Sequence, residues 1–270
     1  MPADQSPLGH ATGYPDRYDP SQLFAVDRAA QRIDLASVKG LPFTGVDIWT
    51  AYEITWLDLA GKPQTAIGEF RIGADSPATV ESKSLKLYLG SFAQERMTDA
   101  EKLTTRVRAD LEKICEAPVG VALHPASPGT RIAELPGESV DVEEVSVDRY
   151  HPDASLLGRV GTYADETLKS ALFRSNCPVS GQPDYADVMI RYRGPRIDRH
   201  ALLRYIVSYR EHAAFHEACV ERMFVDLALR CRPEQLTVYA RFLRRGGIDI
   251  NPFRSNFEPA PKRSERTPRQ

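Results

Sequence analysis

The plainest pattern in the chain is a strict alternation in DYADVMIRYR, residues 184–193. Ala186, Val188, Ile190 and Tyr192 fall on one face, as in a half-buried strand, and Asp184 is in phase with them. A different period governs HAAFHEACVERMFVDLAL, residues 212–229. There His216, Cys219, Met223 and Leu227 recur at helical spacing and form one inward stripe, with Glu217 at its flank. In ESKSLKLYLGSF, residues 81–92, Glu81 opens a second stripe through Leu85, Tyr88, Leu89 and Phe92.

These patterns occur twice. LAGKPQTAIGEFRIG (59–73) and VSGQPDYADVMIRYRG (179–194) each run Gly-x-Pro, strand, closing glycine. LYLGSF (87–92) matches RYIVSY (204–209), and each is followed by a longer helical pattern, 98–116 and 213–230. Each copy then returns to strand, in PVGVALHP and QLTVYARFL. Two blocks in nearly constant register predict a duplicated unit of two strands, two helices and two strands, an α+β fold. RFLRRGGIDINPF (241–253) reads as strand, Gly-Gly turn, strand. The copies differ where chemistry could sit, since Cys177 faces Leu57 and Asp184 faces Gln64.

Composition narrows this picture little. The chain has 270 residues, 42% hydrophobic and 27% charged, with net charge −2, which gives no global argument for nucleic acid or membrane. No apolar run approaches the roughly 18 residues of a membrane span, and the N-terminus lacks a secretory pattern. Cys115, Cys177, Cys219 and Cys231 form no CxxC pair, so a reducing, cytoplasmic setting is expected rather than a disulfide framework or structural zinc. Residues 1–22 and the basic, proline-bearing tail 257–270 are expected to be loosely held.

The candidate chemistry centres on FRSNCPVSGQPDYADVMIRY (173–192). Pro178, Gly181 and Pro183 turn the chain sharply, so Cys177 and Asp184 can approach each other. A thiol near a carboxyl or imidazole can act as a nucleophile, and a carboxyl losing water can keep and give a proton. The ordinary readings are an inert half-buried thiol and an aspartate closing a turn. Cys115, Cys219 and Cys231 invite only the inert reading. Ser82 and Lys83 stand at a helix start whose N–H groups suit an anion, unless Glu81 and Ser82 merely cap it. Arg244 and Arg245 flank the Gly-Gly turn and could meet phosphate. His212 and His216 lie four apart, but there is no HExxH and no third ligand, so no metal is expected. Neither a Rossmann fingerprint nor a P-loop is present.

ESKSLKLYL (81–89), CPVSGQPDYA (177–186), FHEACVERMFVDL (215–227) and RRGGIDINPF (244–253), in this order, resemble the NADPH-dependent 7-cyano-7-deazaguanine reductases, the nitrile reductases of queuosine biosynthesis. The resemblance spans about residues 40–256 and is to the long, two-module form. It implies tandem tunnelling-fold modules, antiparallel sheets backed by helices, at 23–139 and 140–256, with subunits pairing as a homodimer. It implies reduction of the nitrile to a primary amine with NADPH. Cys177 matches the nucleophile that forms a thioimide, and Asp184 the proton donor. His216 and Glu217, with Val80, Glu81 and Ser82, match substrate-binding positions. Ser82, Lys83, Arg245 and Gly246 match NADPH contacts. His216 stands as a second acid or as an orienting group. The competing readings are a zinc-using cyclohydrolase-like enzyme of the same fold group and a non-catalytic purine-binding protein.

Overall fold

The structure is a computed structural model that describes residues 13–35, 40–126, 132–262 and 265–270. These residues group into two compact units. The first holds 13–31, 47–126 and 244–250, and the second holds the rest. The resemblance implies modules at 23–139 and 140–256. The main division falls between 126 and 132, and the Gly-Gly turn counts with the first unit.

The first unit contains β1 (Ala25–Asp27), α1 (Arg28–Gln31), most of β2 (Thr44–Leu57), β3 (Pro63–Gly73), β4 (Ala78–Val80), α2 (Ser82–Gly90), α3 (Ala100–Cys115) and β5 (Val119–Pro125). β1 and β4 form a small antiparallel ribbon. The larger sheet runs β5-β3-β2, with β3 and β5 antiparallel. β2 and β3 join at a turn where the Asp58 carboxylate accepts the N–H groups of Ala60 and Lys62. On α3, Leu103, Val107, Leu111 and Cys115 repeat every fourth residue and are fully buried. They pack with Leu85, Tyr88 and Leu89 of α2 and with Trp49, Ile54 and Phe70 of the sheet. Each such apolar side chain contributes about 1.5–3 kcal/mol on burial.

The second unit contains β6 (Glu138–Ser139), β7 (Arg159–Asn176), β8 (Pro183–Ile197), α4 (Arg199–Val207), α5 (His216–Cys231), β9 (Gln235–Phe242) and residues 251–255 of β10 (Ile248–Ser255). Its sheet runs β10-β9-β8-β7-β6. Every pairing is antiparallel except the short β6–β7 contact. Ala186, Val188, Ile190 and Tyr192 are buried as the alternation requires, while Tyr185 is 40% exposed on the other face.

The duplication holds to the level of single hydrogen bonds. α2 and α4 have nine residues each, and α3 and α5 sixteen each. Ser91 and Ser208 each follow the shorter helix and donate to the carbonyl of Tyr88 or Tyr205 at 2.6 Å. Those tyrosines each donate to an aspartate of the longer helix, Asp110 or Asp226, again at 2.6 Å. Each longer helix ends in a left-handed residue, Glu116 or Arg232. Antiparallel sheet backed by helices therefore appears in both units, as expected.

The ends behave differently from expectation. Residues 1–12 lie outside the described residues, but Tyr18 donates to Asp110 and the Asp19 N–H donates to Ser91. In the tail, Thr267 and Gln270 are buried, and Gln270 and Arg269 bond to the second unit's strands. Composition misses this because polar side chains, not apolar burial, hold the segment. Among the described residues no helix is long and apolar enough to cross a membrane.

Candidate active site

The β7–β8 hairpin builds the centre of the site. Its ladder pairs Ser175 with Asp184 and Asn176 with Pro183. Beyond the ladder the Cys177 N–H donates to the Gln182 carbonyl at 2.8 Å, and the Gly181 N–H donates to the Cys177 carbonyl at 3.0 Å. Gly181 makes this tight reversal with φ +68°, a conformation strained for other residues. Ser175 and Cys177 share one strand face, and Asp184 stands opposite Ser175. Cys177 and Asp184 are therefore diagonal neighbours on one face, a relation that spans about 7–8 Å between Cα atoms. Both are buried, and the Ser180 N–H points at the Cys177 sulfur at 3.5 Å.

The end of β7 also anchors the approach to α5. The Asn176 N–H donates to the His212 carbonyl, and the Ala214 N–H donates to the Asn176 carbonyl. Two residues later α5 begins, so His216 is delivered to the hairpin. Its Nε2 lies 3.2 Å from Asp184 Oδ2, and its ring stacks on Phe242 with centroids 3.9 Å apart. His216 Nδ1 is buried without a hydrogen-bond partner. Glu217 is buried as well, deeper than its expected flank position. α5 starts at His216, and Phe215 before it offers no capping side chain, so the positive end of the helix dipole lies at His216 and Glu217. On the buried face expected for it, Asp184 therefore meets the imidazole of His216.

The other three thiols are free and buried. Burial pushes the Cys115 and Cys219 thiols up to about 12 and the Cys231 thiol up to about 11. Among the described residues no group of three or more His, Cys, Asp or Glu could hold a metal ion.

In the first unit the ordinary capping reading describes Glu81. Its carboxylate accepts the N–H groups of Lys83 and Ser84 at 2.7 and 2.8 Å, and the Ser82 hydroxyl at 3.1 Å. The backbone donors expected to await an anion at this helix start are thus already taken. Val80 is buried at the end of β4. Positive charge gathers nearby within the same unit. Arg244 stacks over Tyr52 at 4.5 Å, and the Arg245 N–H donates to the Ile248 carbonyl across the Gly246-Gly247 turn. Gly246 has φ +59°, a conformation that favours glycine, and Lys86 Nζ lies 2.9 Å from where a Cβ would stand. Lys83 lies one turn before Lys86 on α2.

Two features escaped the sequence. Phe242 is one, since a strand's last aromatic residue gives no hint that it carries a histidine ring. The other is a clamp on α5. Glu221 is buried and accepts two bonds from Arg32, at 2.7 Å each, and two from Arg254, at 3.1 and 2.8 Å. Glu221 follows Glu217 by one helical turn, the one local signal available. Its partners are 189 and 33 residues away, beyond any local pattern.

Comparison with known proteins gives the family. A family model described as nitrile reductase, 7-cyano-7-deazaguanine-reductase N-term, matches residues 14–123. A second, described as QueF-like protein, matches residues 183–261. The NADPH-dependent 7-cyano-7-deazaguanine reductase of Bordetella pertussis is 51% identical over 100% of both chains. That of Chromobacterium violaceum is 50% identical over 99% of this chain and 97% of its own. That of Burkholderia vietnamiensis is 49% identical over 100% of both.

Proposed function

The chain belongs to the family of NADPH-dependent 7-cyano-7-deazaguanine reductases, and on that premise we propose that it reduces the nitrile of 7-cyano-7-deazaguanine to a primary amine through a thioimide on Cys177, in the route to queuosine in tRNA. The observation that carries this reading is the convergence of Cys177, Asp184 and His216 on one hairpin face.

A nitrile carbon is a weak electrophile, and only an anionic sulfur attacks it readily. The start of α5, uncapped and stitched to the residue before Cys177, supports a negative sulfur there. As the new C–S bond forms, the nitrile nitrogen must gain a proton, or charge builds on it. Asp184 is the donor in this reading, and His216 replenishes or orients it across their 3.2 Å contact. Later protonations at the same nitrogen use the same pair. Glu217 is the proposed anchor for the deazaguanine, because one carboxylate can accept both a ring N–H and an exocyclic amine. Burial of these groups keeps water from hydrolysing the thioimide.

The residues of the first unit fit a phosphate-bearing cofactor in charge, since Lys83, Lys86, Arg244 and Arg245 stand on two short segments and Gly246 admits close approach. Ser82, Lys83, Arg245 and Gly246 would hold NADPH, which supplies hydride for both reductions.

Intact mass spectrometry after mixing with the nitrile, without NADPH, tests the reading. A single covalent adduct is expected, absent in Cys177→Ala. An adduct on another cysteine refutes the assignment of the nucleophile. With NADPH present, absorbance of the reduced cofactor should fall on addition of the nitrile.

A further inference from the structure

Two contacts orient the His216 imidazole: the Asp184 carboxylate at Nε2 and the face of Phe242. Both come from one end of one ladder. Ala186 pairs with Phe242 in the β8–β9 register, and Asp184 is two residues before Ala186 on the same face. Whatever fixes this end of the ladder fixes the imidazole.

The tail grips both members of that pair. Gln270 Nε2 donates to the Phe242 carbonyl at 2.9 Å and to Asn251 Oδ1 on β10 at 2.7 Å. Its Oε1 accepts the Thr267 N–H at 3.0 Å, so the amide is bonded at both ends and is only 3% exposed. Arg269 Nη2 donates to the Ala186 carbonyl at 3.0 Å and to Asp187 Oδ1 at 2.6 Å, with Nε adding 3.1 Å to the same oxygen. A buried amide satisfied on all sides has one orientation, and it transmits that orientation to the strand it holds.

We propose that Gln270 and Arg269 are positioning residues for the His216–Asp184 pair, acting through the backbones of Phe242 and Ala186. The proposal rests on the reading of Cys177, Asp184 and His216 as the reactive centre, and its test separates the two. Gln270→Met keeps the volume and loses every side-chain hydrogen bond, whereas Gln270→Glu keeps an acceptor for Thr267 and loses the donor to Phe242. NMR of the full chain reads the ring protons of His216, whose shifts carry the ring current of the stacked Phe242, with His216→Gln for assignment. In both variants these resonances should move away from wild type. The rate of adduct formation per titratable thiol should fall about tenfold, as for a small misplacement of a catalytic group. Resonances coincident with wild type overturn the proposal whatever the rate does, and so does an unchanged rate when they move. If Gln270→Met fails to fold, Arg269→Met, at a residue 39% exposed, carries the same two readouts. If the wild type forms no adduct, the thioimide reading falls alone, and the resonances still decide whether the tail sets the imidazole.

Discussion

At the scale of single residues, four cysteines of one chain meet two fates. The thiols of Cys115, Cys219 and Cys231 are held at about 12, 12 and 11 by burial, so their reactive thiolates are scarce until the pH nears those values. Brief alkylation of the native protein at pH 8, read by peptide mapping, should therefore mark Cys177 alone. Cys177→Ala should leave the protein unmarked, and labelling of the other three should rise only in strong alkali. Asp184→Asn keeps the shape of the side chain and removes its proton chemistry. It should slow adduct formation by about 10²–10⁴-fold, the usual worth of a positioned acid, as measured by quenched-flow mass spectrometry. The approach of Cys177 to Asp184 was legible in the sequence because both lie within eight residues, where proline and glycine announce the turn. The imidazole on Asp184 was legible only as an inward histidine of unknown partner.

At the scale of elements, α5 carries His216 and Glu217 in its first turn and is locked one turn later. Glu221 takes four hydrogen bonds from Arg32 and Arg254, and all three groups are buried or nearly so. Removing the carboxylate leaves buried cationic charge short of its counterion, which costs about 3–5 kcal/mol. Glu221→Gln should show that loss in urea denaturation, and it should weaken nitrile binding through the displaced Glu217. The helices themselves were readable from their stripes, to within a few residues at the ends. The clamp was not, because its members come from three distant segments and a buried ion pair leaves no periodic trace. Glu81 was ambiguous for another reason. Capping and anion binding use the same residues at a helix start, and only geometry shows which donors are occupied.

At the scale of the whole molecule, the chain is one architectural unit written twice. The Tyr88–Asp110 and Tyr205–Asp226 bonds are its shared fastening, each joining the short helix to the long one. Burial and the adjoining aspartates raise both phenols far above the ordinary tyrosine range. Tyr88→Phe and Tyr205→Phe should each cost about 1.5–3 kcal/mol, the scale of a hydrogen bond to a charged group, in equilibrium unfolding. The duplication was visible in sequence because glycines, serines and stripes recur in register. Where each compact unit begins and ends was not, since 244–250 joins the first unit from far along the chain.

Of the helices α2 to α5, three open beneath a carboxylate, Glu81, Asp99 or Asp198, and the fourth opens after Phe215. The odd one, α5, is the second copy's counterpart of the helix that Asp99 caps. A protein engineer harmonising the two copies would write Phe215→Asp and expect a firmer helix by about 1 kcal/mol. On the proposed mechanism, that carboxylate would compete for the helix end invoked to support an anionic sulfur and would repel that sulfur besides. If the proposed chemistry holds, the missing cap is a cost in robustness that thermostabilising designs should leave alone.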